Sequence, residues 1–265
     1  MRRFLFLYFA VTLLCPLQAV HSQEICSVSL GDSTVHLAIH GSADAPVYFL
    51  NLHDNENTSV EAALEVMKTL PGRLVEIKHT GERLIAFSVG NRSYQFDPNR
   101  MFTPEGRRAT LNRYGSFSLA AEKAVAVFAD TVLQVYGIDR AGCIVTLHNN
   151  TNNDFSAKSY LPGAIYEKEA RKVYIEPGTD TDDFVVVTRR RFYRYFKRHG
   201  INVVLQHPDP TDDGSLSVYA EQLGIPYINI EAEDGHLQEQ MRMIQITYQL
   251  LQRPRGIFSW LAGGR

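Results

Sequence analysis

The stretch "YFLNLHDNENTSVEAALEVM", residues 48 to 67, places an apolar segment directly before an amphipathic one. The first part has the continuous apolar character of a buried strand. The second part has the spacing of a helix, with Thr58 or Ser59 as a plausible N-cap. His53 and Glu56 lie in the polar turn between them. A strand that leads through a short turn into a helix is the unit from which α/β folds are built.

The same alternation continues along the chain. Apolar strand patterns such as "CIVTLH" (143–148) and "YINIEAE" (227–233) alternate with helix patterns, of which "SLAAEKAVAVFADTVLQVYG" (118–137) is the strongest. Residues 90 to 116 lack a clear period and are expected to be rich in loops. Alternating β and α units with apolar strands predict an α/β fold, in which a mixed, largely parallel sheet is sandwiched between helices.

Composition restricts the classes of partner. The chain has 265 residues, of which 45% are hydrophobic, and its formal net charge is −2 at pH 7. A near-neutral charge argues against bulk electrostatic attraction to nucleic acid, so we expect no nucleic-acid partner. The length suits one domain, and we expect residues 23 to 265 to form it.

The N-terminus has the pattern of a secretory signal. Arg2 and Arg3 precede the apolar run "FLFLYFAVTLL", and small residues follow near Ala19 or Ser22. This order predicts a signal peptide over residues 1 to 22, with export to the periplasm or the cell exterior. The alternative is a retained membrane anchor, but the apolar run is short for a span of about 20 residues. We therefore expect no stable membrane span after cleavage.

Two cysteines, Cys26 and Cys143, remain after the expected cleavage. In an oxidising compartment they could form one disulfide between the N-terminal strand and the core. Their spacing does not decide between a disulfide and two free thiols.

His53 and Glu56 form an H-x-x-E motif, whose three-residue spacing lets both side chains face one point. Imidazole and carboxylate are ligands of catalytic zinc, which often has two histidines and one carboxylate. The alternative is a polar loop in which Glu56 helps to cap the next helix. His148, at the end of an apolar strand, is the best candidate for a third ligand. Glu231 also ends a predicted strand, and ligands of α/β folds gather at such ends.

A third group of polar residues lies in "NRSYQFDPNR", residues 91 to 100. Arg92 and Arg100 enclose a short strand-like segment that is followed by Asp97 and Asn99. Arginines bind carboxylates in a bidentate manner, so two of them could hold a substrate carboxylate or polarise a carbonyl. The alternative is a surface loop with an internal Arg–Asp pair.

These motifs together resemble a known family. "LHDNENTS", "RSYQFDPNRMF" and "TLHNNTNND" occur in the order found in the aspartoacylase and succinylglutamate desuccinylase branch of the zinc carboxypeptidase superfamily. The similarity covers most of residues 45 to 155 and continues more weakly to about 235. It implies a zinc carboxypeptidase-like catalytic domain with one Zn²⁺ ion, held by His53, Glu56 and His148.

The resemblance also implies the roles of other residues. Arg92 would lie nearest the scissile carbonyl, Asn99 and Arg100 would grip a terminal carboxylate, and Asp97 would orient a ligand or an arginine. The general base of the family is a glutamate at the end of a late strand. Glu231 is its closest match here and Glu233 is the second candidate.

The activity implied is that of an exported zinc-dependent amide hydrolase, of the carboxypeptidase or amidase type. Its substrate would be a peptide, such as a cell-wall peptide of peptidoglycan, or an acylated amino acid. Asn51 and Leu52 stand where the family has small or glycine residues, which leaves the specificity open. The alternatives are an N-acyl amino acid deacylase and a non-catalytic protein that binds peptides or glycans on the same scaffold.

The segment "RRRFYRYFKRHG", residues 189 to 200, interleaves basic and aromatic residues. Such a segment can stack on nucleic-acid bases or lie on an anionic membrane. At helical spacing, however, Phe192, Tyr195 and Phe196 share one face. We expect this face to enter the core while the arginines remain in solvent.

Overall fold

A computed structural model describes residues 23–252. Its main feature is a nine-stranded sheet in the order β1-β2-β4-β3-β7-β11-β9-β10-β8, and β5 and β6 form a separate hairpin. The strand bounds are β1 Gln23–Leu30, β2 Ser33–Gly41, β3 Tyr48–Asn51, β4 Arg73–Lys78, β5 Ile85–Val89, β6 Arg92–Phe96, β7 Ile144–Asn150, β8 Ala170–Tyr174, β9 Phe184–Val187, β10 Asn202–Gln206 and β11 Tyr227–Glu233.

The centre of the sheet is parallel. Strands β4, β3, β7 and β11 run in one direction, and antiparallel pairings begin where β2 joins β4 and where β9 joins β11. The carboxyl ends of β3, β7 and β11 therefore meet at one edge, which is where such sheets bind ligands.

Helices cover both faces of this sheet. On one face lie α2 (Pro104–Tyr114), α3 (Leu119–Tyr136) and α5 (Leu216–Gln222); on the other lie α1 (Asn57–Met67), α4 (Arg190–Arg198) and α6 (Leu237–Leu251). Strand side chains alternate between the two cores, as the pleat requires. In β7, for example, Ile144 packs with the first core and Val145 with the second. The mixed α/β fold expected from the sequence is confirmed.

Helix α3 follows its sequence pattern closely. The Ser118 side chain accepts a hydrogen bond from the backbone N–H of Ala121 at 3.1 Å, as an N-cap does. Gly137 ends the helix with φ of 88°, in the left-handed region that glycine enters at little cost. Helix α4 also agrees with the prediction, since Phe192, Tyr195 and Phe196 are buried.

Two local predictions are wrong. Helix α1 begins after Glu56, so Thr58 and Ser59 lie inside its first turn and neither is the N-cap. The region 90–116 is not mainly loop, because it contains β6 and the 11-residue helix α2. Few residues of α2 are buried, which weakens its apolar period, but Thr103 caps it through the backbone N–H of Gly106.

The disulfide between Cys26 and Cys143 does not form, and both thiols are free. Cys26 lies in β1 and Cys143 directly precedes β7, with β2, β4 and β3 between those strands. Four steps of about 4.8 Å separate the two strands by roughly 19 Å. A disulfide needs Cα atoms within about 7 Å.

The predicted signal, residues 1 to 22, lies outside the described residues. Within residues 23–252, no helix is both long enough and apolar enough to cross a membrane.

Candidate metal and catalytic site

His53 and Glu56 lie in the turn between β3 and α1. The backbone N–H of Glu56 donates to the carbonyl of His53 at 3.1 Å, which closes the turn. Both side chains are buried, and His53 Nδ1 lies 2.7 Å from Glu56 Oε1. Glu56 does not cap α1 with its side chain. Instead, the Asn149 side-chain oxygen accepts from the backbone N–H of Ser59 at 2.8 Å.

His148 joins this pair from β7. Its Nδ1 lies 2.8 Å from Glu56 Oε2 and 3.2 Å from His53 Nδ1. The sequence pattern placed His148 at the end of this strand, but the strand continues to Asn150. The reason is that residues 149 and 150 pair with β11.

The donor set of His53, Glu56 and His148 can hold one metal ion. Two histidines and a carboxylate are a common set for catalytic zinc. Two nitrogens on one tetrahedral zinc, each at about 2.05 Å, lie about 3.3 Å apart. The two Nδ1 atoms are separated by 3.2 Å, which matches this spacing. The Glu56 oxygens lie closer to them, at 2.7 and 2.8 Å, so the carboxylate would move back slightly to admit the ion.

Asp97 lies behind the triad and contacts its first histidine. Its Oδ1 is 2.9 Å from His53 Nε2 and also accepts from the backbone N–H of Asn99 at 2.8 Å. This contact fixes the His53 ring and directs Nδ1 toward Glu56. Asp97 therefore has the geometry of the orienting carboxylate expected from the sequence.

The electrostatics of the triad favour a cation. Burial lowers the pKa of His53, but Glu56 and Asp97 outweigh this effect and raise the pKa to about 9. Burial opposes ionisation of Glu56, yet His53 and His148 hold the pKa of that carboxyl well below its usual range. The carboxylates of Glu56 and Asp97 therefore strongly stabilise a positive charge beside them. Such groups can bind a divalent metal ion as well as protons.

Glu231 lies directly beside His148 on the adjacent strand, because the two residues are register partners in the β7–β11 pairing. Its side chain is buried, lines the cavity next to the triad and accepts from Asn229 Nδ2 at 2.8 Å. Burial raises the pKa of Glu231; His148 opposes this and the charge of Glu56 adds to it. Glu233 lies further along β11 and does not line this cavity. Its carboxylate instead lies 3.8 Å from His236.

The cavity has a volume of about 650 Å³ and opens beside the triad. Asn99 and Arg100 both line it, as expected of substrate-binding residues. The Asn99 side-chain oxygen accepts from the backbone N–H of Leu216 at 3.2 Å, and Arg100 Nη2 lies 3.5 Å from Asp213 Oδ2.

Arg92 does not belong to this site. It is exposed at the start of β6, next to the hairpin turn, and does not line the cavity. Five residues of extended chain, about 17 Å, separate it from Asp97. The expectation that Arg92 lies nearest the scissile carbonyl therefore disagrees with its position in the fold.

Arg83 occupies the site instead, and the sequence reasoning missed it. Its Nη1 lies 2.8 Å from Glu56 Oε1 and its Nη2 lies 3.7 Å from Asp97 Oδ2. Arg83 precedes β5, whose Ile85 pairs with Phe96, so the hairpin brings it opposite Asp97. The only feature of the sequence around Arg83 that could have indicated its role is its position as a basic residue in the turn before a strand.

Asp54 holds the segment that carries Arg83. It follows His53 directly and is buried. Its Oδ2 accepts from the backbone N–H groups of His79 at 2.7 Å and Gly81 at 2.8 Å, and its Oδ1 lies 2.6 Å from Lys78 Nζ. Asp54, which lies inside the H-x-x-E motif, thus has a structural role that is separate from metal binding.

No protein-family model and no curated protein matches the chain. Solved structures do match. An aspartoacylase family protein from Mesorhizobium loti is 14% identical, with a TM-score of 0.46, over 89% of this chain and 68% of that one. Murein-tripeptide amidase MpaA from Escherichia coli O157 is 11% identical, with a TM-score of 0.42, over 83% of this chain and 88% of that one.

A third structure, a succinylglutamate desuccinylase/aspartoacylase from Rhodobacter sphaeroides, is 12% identical, with a TM-score of 0.44, over 87% of this chain and 64% of that one. These names include those of the branch that the three motifs resemble. At such identities and TM-scores the likeness assigns no activity. The function has to be inferred from the site.

Proposed function

We propose that the protein is a zinc-dependent amide hydrolase. The observation that carries this proposal is the convergence of His53, Glu56 and His148 within hydrogen-bonding distance of one another. Glu231 lies beside them as the register partner of His148, at the wall of one cavity. A metal-binding triad and a separate buried carboxylate are the groups that hydrolysis of an amide requires.

His53, Glu56 and His148 would hold the ion, and Asp97 would keep the His53 ring in place. Zinc at such a site supplies Lewis acidity and makes water acidic enough to lose a proton near neutral pH. Two imidazoles and one carboxylate would leave one net positive charge on a bound Zn²⁺ ion.

Glu231 would act as general base and then as general acid. It takes a proton from the water molecule whose oxygen bonds to the carbonyl carbon. It returns that proton to the amide nitrogen as the carbon–nitrogen bond breaks, so the products are a carboxylic acid and an amine. The raised pKa of Glu231, caused first by its burial, brings its basicity closer to neutral pH, which favours both transfers.

Arg83 and Arg100 would handle the negative charges of the substrate. Arg83 lies next to the triad, where its guanidinium can stabilise the oxyanion that develops on the carbonyl oxygen. Asn99 and Arg100 line the cavity further along and would bind a terminal carboxylate. Arg83 thus takes the part that the sequence resemblance gave to Arg92.

The proposed substrate is a peptide or an acylated amino acid. The signal pattern in residues 1 to 22 supports export, and we propose residues 23 to 265 as one catalytic domain. An exported amide hydrolase meets cell-wall peptides and scavenged peptides, so peptidoglycan fragments are the first substrates to test.

The test combines metal analysis with product analysis. The purified protein is loaded with zinc, dialysed and assayed for bound metal. It is then incubated with peptidoglycan fragments, peptides and N-acyl amino acids, and the products are identified by mass spectrometry. We expect one zinc ion per chain and cleavage of an amide bond that is lost in Glu231→Gln. A chain that retains no zinc after reconstitution would instead be a binding protein on this scaffold.

A further inference from the structure

The cavity continues beyond the triad along the surface of the sheet. Tyr227, Asn229 and Glu231 alternate along β11, share one face and all line it. Glu231 lies beside His148, so the cavity runs from the metal side toward Tyr227 over about 13 Å of strand. Val186 of β9 pairs with Asn229, which continues the wall onto the neighbouring strands.

Four polar residues line this far end of the cavity, and two of them are buried. Gln206 is 7% exposed and Ser215 is 6% exposed, whereas Ile165 of the same cavity is 82% exposed at its mouth. We call Gln206, Ser215, Ser217 and Asn229 the polar end.

Few of the hydrogen bonds in the polar end are strong. Gln206 Nε2 reaches the Ser217 carbonyl only at 3.4 Å, and the hydroxyls of Ser215 and Ser217 lie 3.1 Å apart. Asn229 is better satisfied, since its amide donates to Glu231 and its oxygen accepts from Thr146 at 3.0 Å. The amide of Gln206 and the two serine hydroxyls are therefore the groups with capacity to bind a ligand.

An arginine–aspartate pair borders the polar end at Ser215. Arg100, the proposed partner of a terminal carboxylate, lies 3.5 Å from Asp213, and the Asp213 carboxylate accepts from the backbone N–H of Ser215 at 2.9 Å. A substrate whose terminal carboxylate meets Arg100 would thus place the side chain of that same residue at the polar end.

We infer that the polar end selects substrates whose carboxy-terminal residue has a hydrogen-bonding side chain, such as an amide, over those with an aliphatic or aromatic one. This inference rests on the proposed function. An apolar side chain would remove water from Gln206 and the serines without replacing its hydrogen bonds. Sites built for polar groups reject analogues that lack them for this reason.

The test compares N-acetylglycyl-L-glutamine with N-acetylglycyl-L-leucine, which are similar in size. Binding is measured by calorimetry on zinc-loaded Glu231→Gln protein, and hydrolysis on the wild-type protein. We expect the glutamine peptide to bind at least about tenfold more tightly. Gln206→Leu should abolish that preference and Ser215→Ala should weaken it. Gln222→Leu, the same change at an exposed position outside the cavity, should preserve it.

The outcomes separate this inference from the proposed function. If the protein hydrolyses the peptides but binds and cleaves the leucine peptide as well as the glutamine peptide, or better, the inference is overturned. The proposed function is then still supported. Selective binding without hydrolysis of any amide supports the polar end and contradicts the function. If Gln206→Leu is unstable by circular dichroism, Ser215→Ala decides, and an unchanged preference in that variant also overturns the inference.

Discussion

The triad and the segment that carries Arg83 lie against each other in one site but rest on different supports. His148 is part of a central strand, and His53 follows another by two residues. Arg83 lies in a turn region between β4 and β5, where its guanidinium reaches Glu56 and Asp97. Hydrogen bonds from this region to Asp54 tie it to the metal motif.

The difference shows how a site combines fixed and adjustable parts. Strand ends in a parallel sheet are positioned by their backbone ladders, so the triad inherits the rigidity of the core. The position of Arg83 depends on one buried carboxylate and on the pairing of a hairpin. Substitutions in the triad should therefore remove the metal, whereas substitutions around Arg83 should leave it bound and reduce catalysis.

The largest effect is expected on the triad. His53→Ala and His148→Ala should each lose bound zinc and turnover, because two remaining donors bind the ion weakly. Metal content after dialysis and hydrolysis rates measure this. His36→Ala, at an exposed position of β2, is the matched control and should retain both. Full zinc content in either triad variant would contradict the proposed site.

The next largest effect is expected at Glu231. Glu231→Gln should keep zinc, since Glu231 is outside the triad, and lose about 10²- to 10⁴-fold in turnover. Glu233→Gln should behave as the wild type, because Glu233 does not line the cavity. The opposite result for the two variants would move the general base to Glu233.

A smaller loss is expected at the arginine. Arg83→Ala should retain zinc and reduce kcat/KM by about 10²- to 10³-fold, the range found when one oxyanion donor is removed. Arg92→Ala should change little, because Arg92 is exposed away from the cavity. Steady-state kinetics of the pair measure the contrast, and a large loss in Arg92→Ala alone would restore the role that the resemblance implied.

These contrasts show what the sequence could and could not predict. The local patterns that predicted the mixed α/β fold also place His53, His148 and Glu231 at or directly after strands that end at one sheet edge. The candidate metal ligands indeed come together in the structure. These ligands could be predicted because each one is marked by the few residues around it. Periodicity and spacing carry information over that short range.

The rest depended on contacts between distant parts of the chain. Arg83 reaches the site because Ile85 pairs with Phe96 and because Asp54 binds the backbone 25 residues later. The order of strands between β1 and β7, which keeps Cys26 and Cys143 apart, is likewise set by long-range pairing. No local pattern encodes such pairing, so the motif spacing pointed to Arg92 and left the disulfide open.

The smallest effect is expected at Asp54, and it tests the link between the two supports. Asp54→Ala should keep zinc, lower kcat about tenfold and reduce the free energy of unfolding by about 1–3 kcal/mol, since it leaves two backbone N–H groups without their acceptor. Asp44→Ala, at an exposed position, is the control. If Asp54 acts through Arg83, its effect on kcat should vanish in the Arg83→Ala background while its effect on urea unfolding persists. Additive losses in kcat would mean that Asp54 supports the metal motif directly.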